Sequence, residues 1–413
     1  MKKSFWKVLG PGLIWAGASV GVSHLVQSTR AGANFGFELV WIVLLANLLK
    51  YPFFEFAPRY AASTGESLVH GYRRISKGAL VLFLVLTLAT MFTIQSAVTA
   101  VTVGLIGHLI PDTFSPTVWT ILLLALCLVI LLVGRYKMLD KLMKVVILTL
   151  TIATIVSVIA AFSNGFNPNP QFTRVFEWKL SDVAFLLALV GWMPSAVDVS
   201  VWHSMWTVAK IKQTGYKPKL KEALLDFNIG YIGTAILSIS FLSLGALVMY
   251  GNGQEFAQSG VGFAGQLITL YTESIGNWAY YFISFAALAT MFSTTLTVLD
   301  AYPRVLKPTT ELLLNSTKEG TNRHLTLIWF GVLITGTVLV IFIFSGKMKT
   351  LIDIATTLSF ITAPILGYLN LKVVLGKNMA DTHKPKIWLK VLSWVGLIAL
   401  SGIAVLFIVW KFL

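Results

Sequence analysis

The stretch GPGLIWAGASVGVSHLVQSTRAGANFGF, residues 10–37, decides the fold of this chain. It begins as an apolar helix, yet small and polar residues are concentrated at its centre, around Gly17, Gly21 and His24. In lipid a spanning helix must satisfy its own backbone hydrogen bonds, so such residues at mid-depth indicate an interruption beside a cavity or a partner helix. We therefore predict that the first spanning helix is broken, with Gly17 and Gly21 at the break.

A second stretch, GWMPSAVDVSVWHS at residues 191–204, has the same character within the sixth apolar segment. It places Pro194 and Asp198 at mid-depth, so we predict a second break at Pro194. Two breaks five helices apart are what an inverted five-plus-five repeat predicts, with the substrate held at the midplane between them. A bundle without symmetry that contains two kinked helices is the alternative.

The composition of the whole chain indicates a membrane protein. Of 413 residues, 56% are hydrophobic and 12% are charged, against about 25% charged in soluble domains. Apolar segments long enough to cross about 30 Å of hydrocarbon recur throughout, so we predict an all-α polytopic membrane protein with about eleven spans. They lie near 8–33, 36–58, 79–106, 117–134, 142–163, 182–208, 224–250, 276–302, 323–345, 350–374 and 388–411.

These segments leave no room for a soluble domain. We expect a single transmembrane domain over residues 1–413, because the connections between the apolar segments are short. Its first repeat would span about 8–163, its second about 182–374, and an extra helix would follow at about 388–411.

The net charge of +15 is distributed as in a membrane protein, not as in a nucleic-acid-binding protein. Lys and Arg are concentrated in the N-terminus and in every second connection, as at Arg73, Arg74 and Lys77. By the positive-inside rule the N-terminus is then cytoplasmic, and eleven crossings place the C-terminus outside. Short loops indicate a bacterial inner membrane, and the N-terminus is expected to be retained because it lacks the pattern of a cleaved signal.

The single cysteine, Cys127, excludes an intrachain disulfide and a multi-thiolate metal cluster. Oxygen and nitrogen ligands are therefore the ones to consider at the two breaks.

Asp198 is the main candidate binding residue, because an ionised carboxylate at mid-membrane costs about 2.5–3.5 kcal/mol and needs a cation, a proton or a basic partner. Ser195 would share its face if the segment between them is helical, and Trp202 would form a wall. On the first helix, Ser23, His24 and Gln27 offer a hydroxyl, an imidazole and an amide, with His24 and Gln27 one turn apart. A structural ion pair or a protonated acid is the alternative for Asp198, and a structural hydrogen bond is the alternative for His24.

Several other polar groups have structural explanations. The pairs Glu55 with Arg59, Asp140 with Lys144, and Asp300 with Arg304 are each spaced at i, i+4 and are expected to bond locally. A stripe of Gln95, Thr99 and Thr102 would pack helix on helix or line a pore, and packing is favoured. Asp226 and Asn228 are expected to open the seventh helix, as caps of that helix or as part of a gate.

The two breaks resemble the NRAMP family of proton-coupled divalent metal transporters. Residues 10–37 resemble the family's opening GPG and its A-G-A-x-F-G-aromatic ending, GRYKMLDKLMKVVI at 134–147 resembles its G-x-x-K-x-x-E-K stretch, and Val201–Ser204 resembles its L-H-S. The resemblance implies the inverted-repeat, LeuT-type architecture with broken first and sixth helices.

The family's metal motifs are not retained. Its D-P-G-N falls on Gly21–His24, and its M-P-H falls on Ala196–Asp198 when counted back from His203. A second register would place M-P-H on Met193–Ser195, but it needs an insertion, so we prefer the first. Without the methionine thioether the resemblance does not imply selectivity for soft metals.

Two further positions follow from the resemblance. The family's tenth-helix glutamine falls on Thr362, which adds a hydroxyl to the predicted site. The third helix lacks the family's acidic residues, so His203, at a family position below the site, is the expected proton carrier.

The sequence as a whole predicts a secondary active transporter and not an enzyme, since it has no ATP-binding G-x-x-x-x-G-K-[ST] and no recognisable catalytic constellation. The expected substrate is a divalent cation harder than the family's usual Mn or Fe, with Mg and Mn as candidates and no resident cofactor. The alternative is a small organic solute such as an amine or amino acid, walled by Trp192, Trp202 and Trp206. A non-transporting scaffold is a third class; the coupling ion and the oligomeric state stay open.

Overall fold

The computed structural model describes residues 10–315 and 323–412, with side-chain positions for all of these except 134–147, 323, 411 and 412. Within these ranges the chain is helical and has no strands. The helices are α1 (Pro11–Ser19), α2 (Thr29–Phe35), α3 (Val40–Thr64), α4 (Leu68–Ile75), α5 (Lys77–Leu109), α6 (Pro116–Ser163), α7 (Leu180–Gly191), α8 (Val199–Thr214), α9 (Leu220–Leu244), α10 (Gly260–Ile275), α11 (Tyr280–Leu313), α12 (Arg323–Ile343), α13 (Met348–Val374) and α14 (Ile387–Phe412).

The eleven predicted spans can be located among these helices. Eight helical stretches of the described chain are long and apolar enough to cross a membrane, and they correspond to the second, third, fourth and seventh to eleventh spans. Leu148–Ser163, the fifth, is apolar but shorter. The first and sixth are divided into α1 with α2 and α7 with α8, so the prediction of two broken helices is confirmed.

One connection differs from the prediction. The segments 117–134 and 142–163 were expected to be separate helices, whereas α6 is one helical run of 48 residues. At 1.5 Å per residue it would extend about 72 Å, more than twice the hydrocarbon thickness. Its central portion is polar, and no proline interrupts it, so the backbone keeps its helical hydrogen bonds between the two apolar stretches. The predicted pair of Asp140 and Lys144 lies outside the described side chains.

The bundle exposes apolar residues and buries polar ones, as expected for a protein whose solvent is lipid. Phe285 and Ile398 are 73% and 70% exposed, whereas Gln27, Gln95 and His203 are fully buried. Buried polar groups need hydrogen-bond partners in this environment. Many buried hydroxyl groups meet this need by donating to the backbone carbonyl one turn earlier in the same helix.

The first and seventh helices approach each other closely at both ends. A Cβ added at Gly12 would lie 2.2 Å from the carbonyl oxygen of Asp226, and one at Gly32 would lie 1.9 Å from that of Leu242. On α9 and its π-helical extension, the same holds for Gly230 and Gly245, so glycine lies on both sides of each crossing. These glycines allow backbone contact between spanning helices.

Two of the local predictions are confirmed. Arg59 donates to Glu55 at 2.8 and 2.5 Å, and Arg304 donates to Asp300 at 2.8 and 2.6 Å.

The polar stripe on α5 packs against α11. Gln95 Nε2 donates to Thr99 on its own helix, and Thr102 Oγ1 lies 2.7 Å from Thr295 Oγ1. These contacts agree with the packing role that was favoured for the stripe.

Candidate functional site

The break in the first helix lies just beyond Ser19. The α1 helix ends there, Val20 and Gly21 form a bend, and residues Ser23–Ser28 continue as a π-helix into α2. Gly17 lies inside α1, before the break; its carbonyl loses the usual helical partner because Gly21 N donates to Ser19 O instead. Thr294 on α11 replaces that partner with its hydroxyl at 3.1 Å.

The break in the sixth helix covers residues 192–198 and contains Pro194, as predicted. It frees the last carbonyls of α7, which a continuous helix would have paired. The buried ammonium of Lys50, on α3, takes them over: Nζ lies 2.6 Å from Val190 O, 2.8 Å from Gly191 O and 3.2 Å from Ser195 O.

A small cavity separates the two breaks. Its free volume is about 30 Å³, which suits one or two water-sized occupants. The first helix, α5, the sixth-helix break and α11 all contribute to its wall. The lining residues are Ala18, Ser19, Val22, Ser23, Ile94, Val98, Trp192, Ser195, Ala196, Val199, Trp202, Thr294 and Val298.

Asp198 lies at the end of the sixth-helix break, at the N-cap of α8, and is 5% exposed. Its side chain does not line the cavity. Tyr302 on α11 donates to Oδ2 over a long 3.5 Å, and Oδ1 has no hydrogen-bond partner among the described residues. Lys50 lies within electrostatic range. A buried carboxylate with one unpartnered oxygen and a lysine nearby therefore stands beside the break.

Comparison with known proteins identifies the family of this chain. Residues 12–410 match the family described as Nramp, natural resistance-associated macrophage protein-like. The chain belongs to the NRAMP family. It is therefore a multi-pass membrane transporter and not an enzyme.

Relatives of this chain span a wide range of sequence identity. An uncharacterized protein of Pasteurella multocida is 35% identical over 99% of this chain and 94% of its own length. A divalent metal cation transporter, MntH, of Listeria monocytogenes is 22% identical over 95% and 87%. The crystal structure of an Eremococcus coleocola manganese transporter superposes with a TM-score of 0.73 at 16% identity, over 98% of this chain and 86% of that one. This likeness confirms the LeuT-type fold.

Gly21, the position onto which the sequence resemblance places the family's first-helix carboxylate, has little space for a side chain. A Cβ added there would lie 2.8 Å from Thr294 Cγ2. Met193 is equally unavailable as a ligand: it is fully buried in a separate apolar cluster with Phe35 and Leu189 and does not line the cavity. Among the described residues no three His, Cys, Asp or Glu side chains come together.

The predicted site residues on the first helix separate. Ser23 lines the cavity and donates to Ser19 O at 2.5 Å. His24 faces the seventh helix instead, with Nε2 at 2.9 Å from Thr234 O and Nδ1 at 2.7 Å from Ser23 Oγ. Both of its ring nitrogens are engaged, so the structural alternative describes His24 better than a ligand role.

Gln27 and Thr362 also lie away from the cavity. Gln27 Nε2 is directed at Asp353 and Thr356 on α13, each at 3.4 Å. Thr362 bonds the carbonyl of Ser359. The tenth-helix hydroxyl that does reach the break is Ser359 itself, which accepts from Trp192 Nε1 at 2.7 Å.

His203, the expected proton carrier, is fully buried among aromatic rings. Its ring centroid lies 6.4 Å from that of Trp15 and 5.7 Å from that of Phe227. Neither ring nitrogen has a partner among the described residues, so no direct hydrogen-bonded chain leads from it.

Both ends of the first helix are fastened to other helices. At one end Asp226 accepts from the backbone N–H groups of Gly10 and Gly12 at 3.1 and 2.7 Å and so caps α1. It does not open the seventh helix as predicted, because α9 begins at Leu220. At the other end Arg30 forms an ion pair with Asp353 at 2.6 Å and stacks over Phe185 at 4.5 Å.

Sequence reasoning missed four groups that build this region: Lys50, Ser19, Thr294 and Tyr302. A signal existed only for Lys50, a lysine in the middle of an apolar span. The other three are hydroxyl residues of a kind that recurs along every helix of the chain.

Proposed function

We propose that this protein is a secondary active transporter that carries a divalent cation across a bacterial inner membrane by alternating access around the cavity between the two breaks. Its membership of the NRAMP family supports this, as does the likeness to MntH transporters. The observation that carries the proposal is Asp198: a carboxylate buried at the sixth-helix break keeps one oxygen without a partner among the described residues. Retaining such a group in a membrane is costly unless a cation or proton uses it, and Lys50, the basic residue within electrostatic range, donates its N–H groups to three backbone carbonyls instead.

The donor set favours a hard cation such as Mg²⁺. The polar groups that line the cavity are the serines Ser19, Ser23 and Ser195 and the hydroxyl of Thr294. All are oxygen donors, which hard cations prefer, whereas a thioether would favour a softer transition metal. Met193, the methionine of the sixth-helix break, packs elsewhere. A cavity of about 30 Å³ has room for an ion with at most one retained water molecule.

Alternating access needs one closed side in each state. In this conformation the ion pair between Arg30 and Asp353 joins the first helix to α13, and we assign this end to the exterior by the positive-inside rule. With no ATP-binding motif in the sequence, an ion gradient would supply the energy.

A small organic solute is the second candidate, and one observation favours it. Most of the cavity wall is apolar, and Trp192 and Trp202 both belong to it. Indole rings attract cationic head groups, so an amine would find contacts here that a metal ion would not use.

Uptake by purified protein in proteoliposomes tests both candidates. Mg²⁺, Mn²⁺, Ca²⁺ and a set of small amines are offered to the parent, to Asp198→Asn and to Asp381→Asn, a control that removes an exposed carboxylate. We expect metal uptake by the parent and the control, and its loss in Asp198→Asn. Metal uptake that survives in Asp198→Asn would contradict the assigned role of this carboxylate. Amine uptake without any metal uptake would replace the cation by the organic solute.

A further inference from the structure

Lys50 is the most completely enclosed charged group of the described chain. Its residue exposure is 0% although it lies in the middle of a spanning helix. An ammonium has three N–H donors and no acceptor, and three carbonyl oxygens, from Val190, Gly191 and Ser195, lie within 2.6–3.2 Å of Nζ. Every donor therefore has a partner, and all three partners are backbone atoms.

The carbonyls belong to a place where positive charge is favoured. Val190 and Gly191 form the C-terminal end of α7, where unpaired carbonyls concentrate the negative end of the helix dipole. Ser195 adds a third oxygen from within the break. The carboxyl group of Asp198 lies within electrostatic range of the ammonium. Oxygen ligands converging in this way form a cation site, and here the cation is part of the protein.

Alternative explanations of Lys50 are weaker. Long basic side chains near the ends of spanning helices extend to the aqueous interface, but Lys50 is fully buried and its Nζ points to a neighbouring helix. A buried ion pair alone would place Nζ on the carboxylate, whereas the three closest acceptors are neutral carbonyls. A buried ammonium without such compensation would be strongly destabilising.

We propose that Lys50 is a tethered cation that occupies a carbonyl site at the sixth-helix break and holds the helix in its broken form. The break is stable without a bound ion because α3 provides one covalently. It follows that a chain lacking the ammonium has an open site, which accepts a free primary alkylammonium ion of matching length. The proposal is independent of the transported substrate, and it removes these three carbonyls from the set available to that substrate.

Chemical rescue tests this directly. Lys50→Ala deletes the side chain beyond Cβ, and n-propylammonium replaces the deleted atoms. We measure the thermal midpoint of the detergent-purified full chain by tryptophan fluorescence, with n-propylammonium chloride or tetramethylammonium chloride at equal ionic strength. The second ion carries the same charge but has no N–H donor.

We expect the Lys50→Ala midpoint to fall by several degrees relative to the parent. It should rise again in a saturable way with n-propylammonium and not with tetramethylammonium, since ligand that binds only the folded state raises stability by mass action. The parent midpoint should not respond to either ion. A Lys50→Ala midpoint equal to that of the parent, or one that responds equally to both ions, would overturn the proposal.

Lys50→Met keeps the length of the side chain without the charge and serves as the matched variant. It should be destabilised and not rescued, because the methionine fills the path to the carbonyls; a Lys50→Met chain as stable as the parent would count against a tethered cation. If Lys50→Ala does not purify as a monodisperse protein, it is prepared in n-propylammonium throughout. Recovery of the folded peak only under that condition supports the proposal, and no recovery refutes it. Because stability is measured without substrate, failure here leaves the uptake experiment on Asp198 unaffected.

Discussion

Substitution of Gly21 by alanine should destabilise the protein through overlap with one residue, Thr294. The added Cβ would lie 2.8 Å from Thr294 Cγ2, about 1 Å inside the ordinary carbon–carbon contact of about 3.5–4.0 Å. Overpacking of this kind costs about 1–3 kcal/mol. Thr294→Ser removes the offending methyl group at a cost of about 0.8 kcal/mol. In the double variant the new methyl group occupies the space that the old one leaves, so we expect a net cost of about 1 kcal/mol.

Chemical denaturation in detergent, followed by the fluorescence of the 13 tryptophans, measures the free energy of unfolding of the four proteins. Gly233→Ala is the control, because nothing lies within 4 Å of its added Cβ, and it should stabilise slightly by its helix propensity. The expected coupling between positions 21 and 294 is roughly 1–2 kcal/mol. Effects that add to within about 0.5 kcal/mol would refute the steric explanation of the glycine at position 21. The same overlap predicts that Gly21→Asp restores the family's acid only together with Thr294→Ser.

Three further outcomes are expected. Arg30→Ala should speed the labelling of a Ser195→Cys reporter by an impermeant thiol reagent several-fold, because the closing ion pair is lost; an unchanged rate would show that the pair does not close this side. Gly32→Ala should lower the yield of monodisperse protein far more than Gly233→Ala, since its Cβ would lie 1.9 Å from a backbone oxygen. Hydrogen bonds from Arg74 lower the pKa of Glu66 below its ordinary 4.5, so the pair stabilises the fold above pH 4.5 and loses that effect as the pH falls further. Denaturation should show the parent losing up to about 1 kcal/mol more than Glu66→Gln on acidification, and parallel curves would contradict it.

The spans and both breaks were predictable because they depend on distributions along the chain. Apolar segment length and the clustering of small residues at mid-depth are one-dimensional signals, and the family resemblance rests on the same stretches. The helical continuity of α6 was not predictable. The charged residues between its two apolar stretches are compatible with a loop and with a continuous helix.

The direction of individual side chains at the breaks was predicted less well, for a geometric reason. His24 and Gln27 were placed on one face by α-helical spacing, yet they lie in the π-helical segment Ser23–Ser28, whose hydrogen bonds run to the fifth residue and turn the helix differently. Ser195 and Asp198 were placed on one face on the condition that the segment is helical. It is not, so Ser195 lines the cavity and Asp198 does not.

The role of Lys50 depends on tertiary structure alone. Its sequence position shows a costly charge in an apolar span, but only the packing of α3 against α7 shows which acceptors its long side chain reaches. Thr294 is similar: nothing near it in sequence indicates that it supplies a hydroxyl to Gly17 and excludes a side chain at Gly21.

The paired glycines at the two crossings of the first and seventh helices have a consequence for motion. The first helix is held against α9 at both ends and is interrupted at Val20 and Gly21, so it should bend most easily at this break. Amide hydrogen–deuterium exchange should therefore distinguish three parts of the first helix. Exchange should be slow beside Gly12 and beside Gly32, and faster between Val20 and His24. A sideways displacement of the break would be transmitted to α9 through the glycine contacts at both ends of the first helix. The two helices should therefore move together.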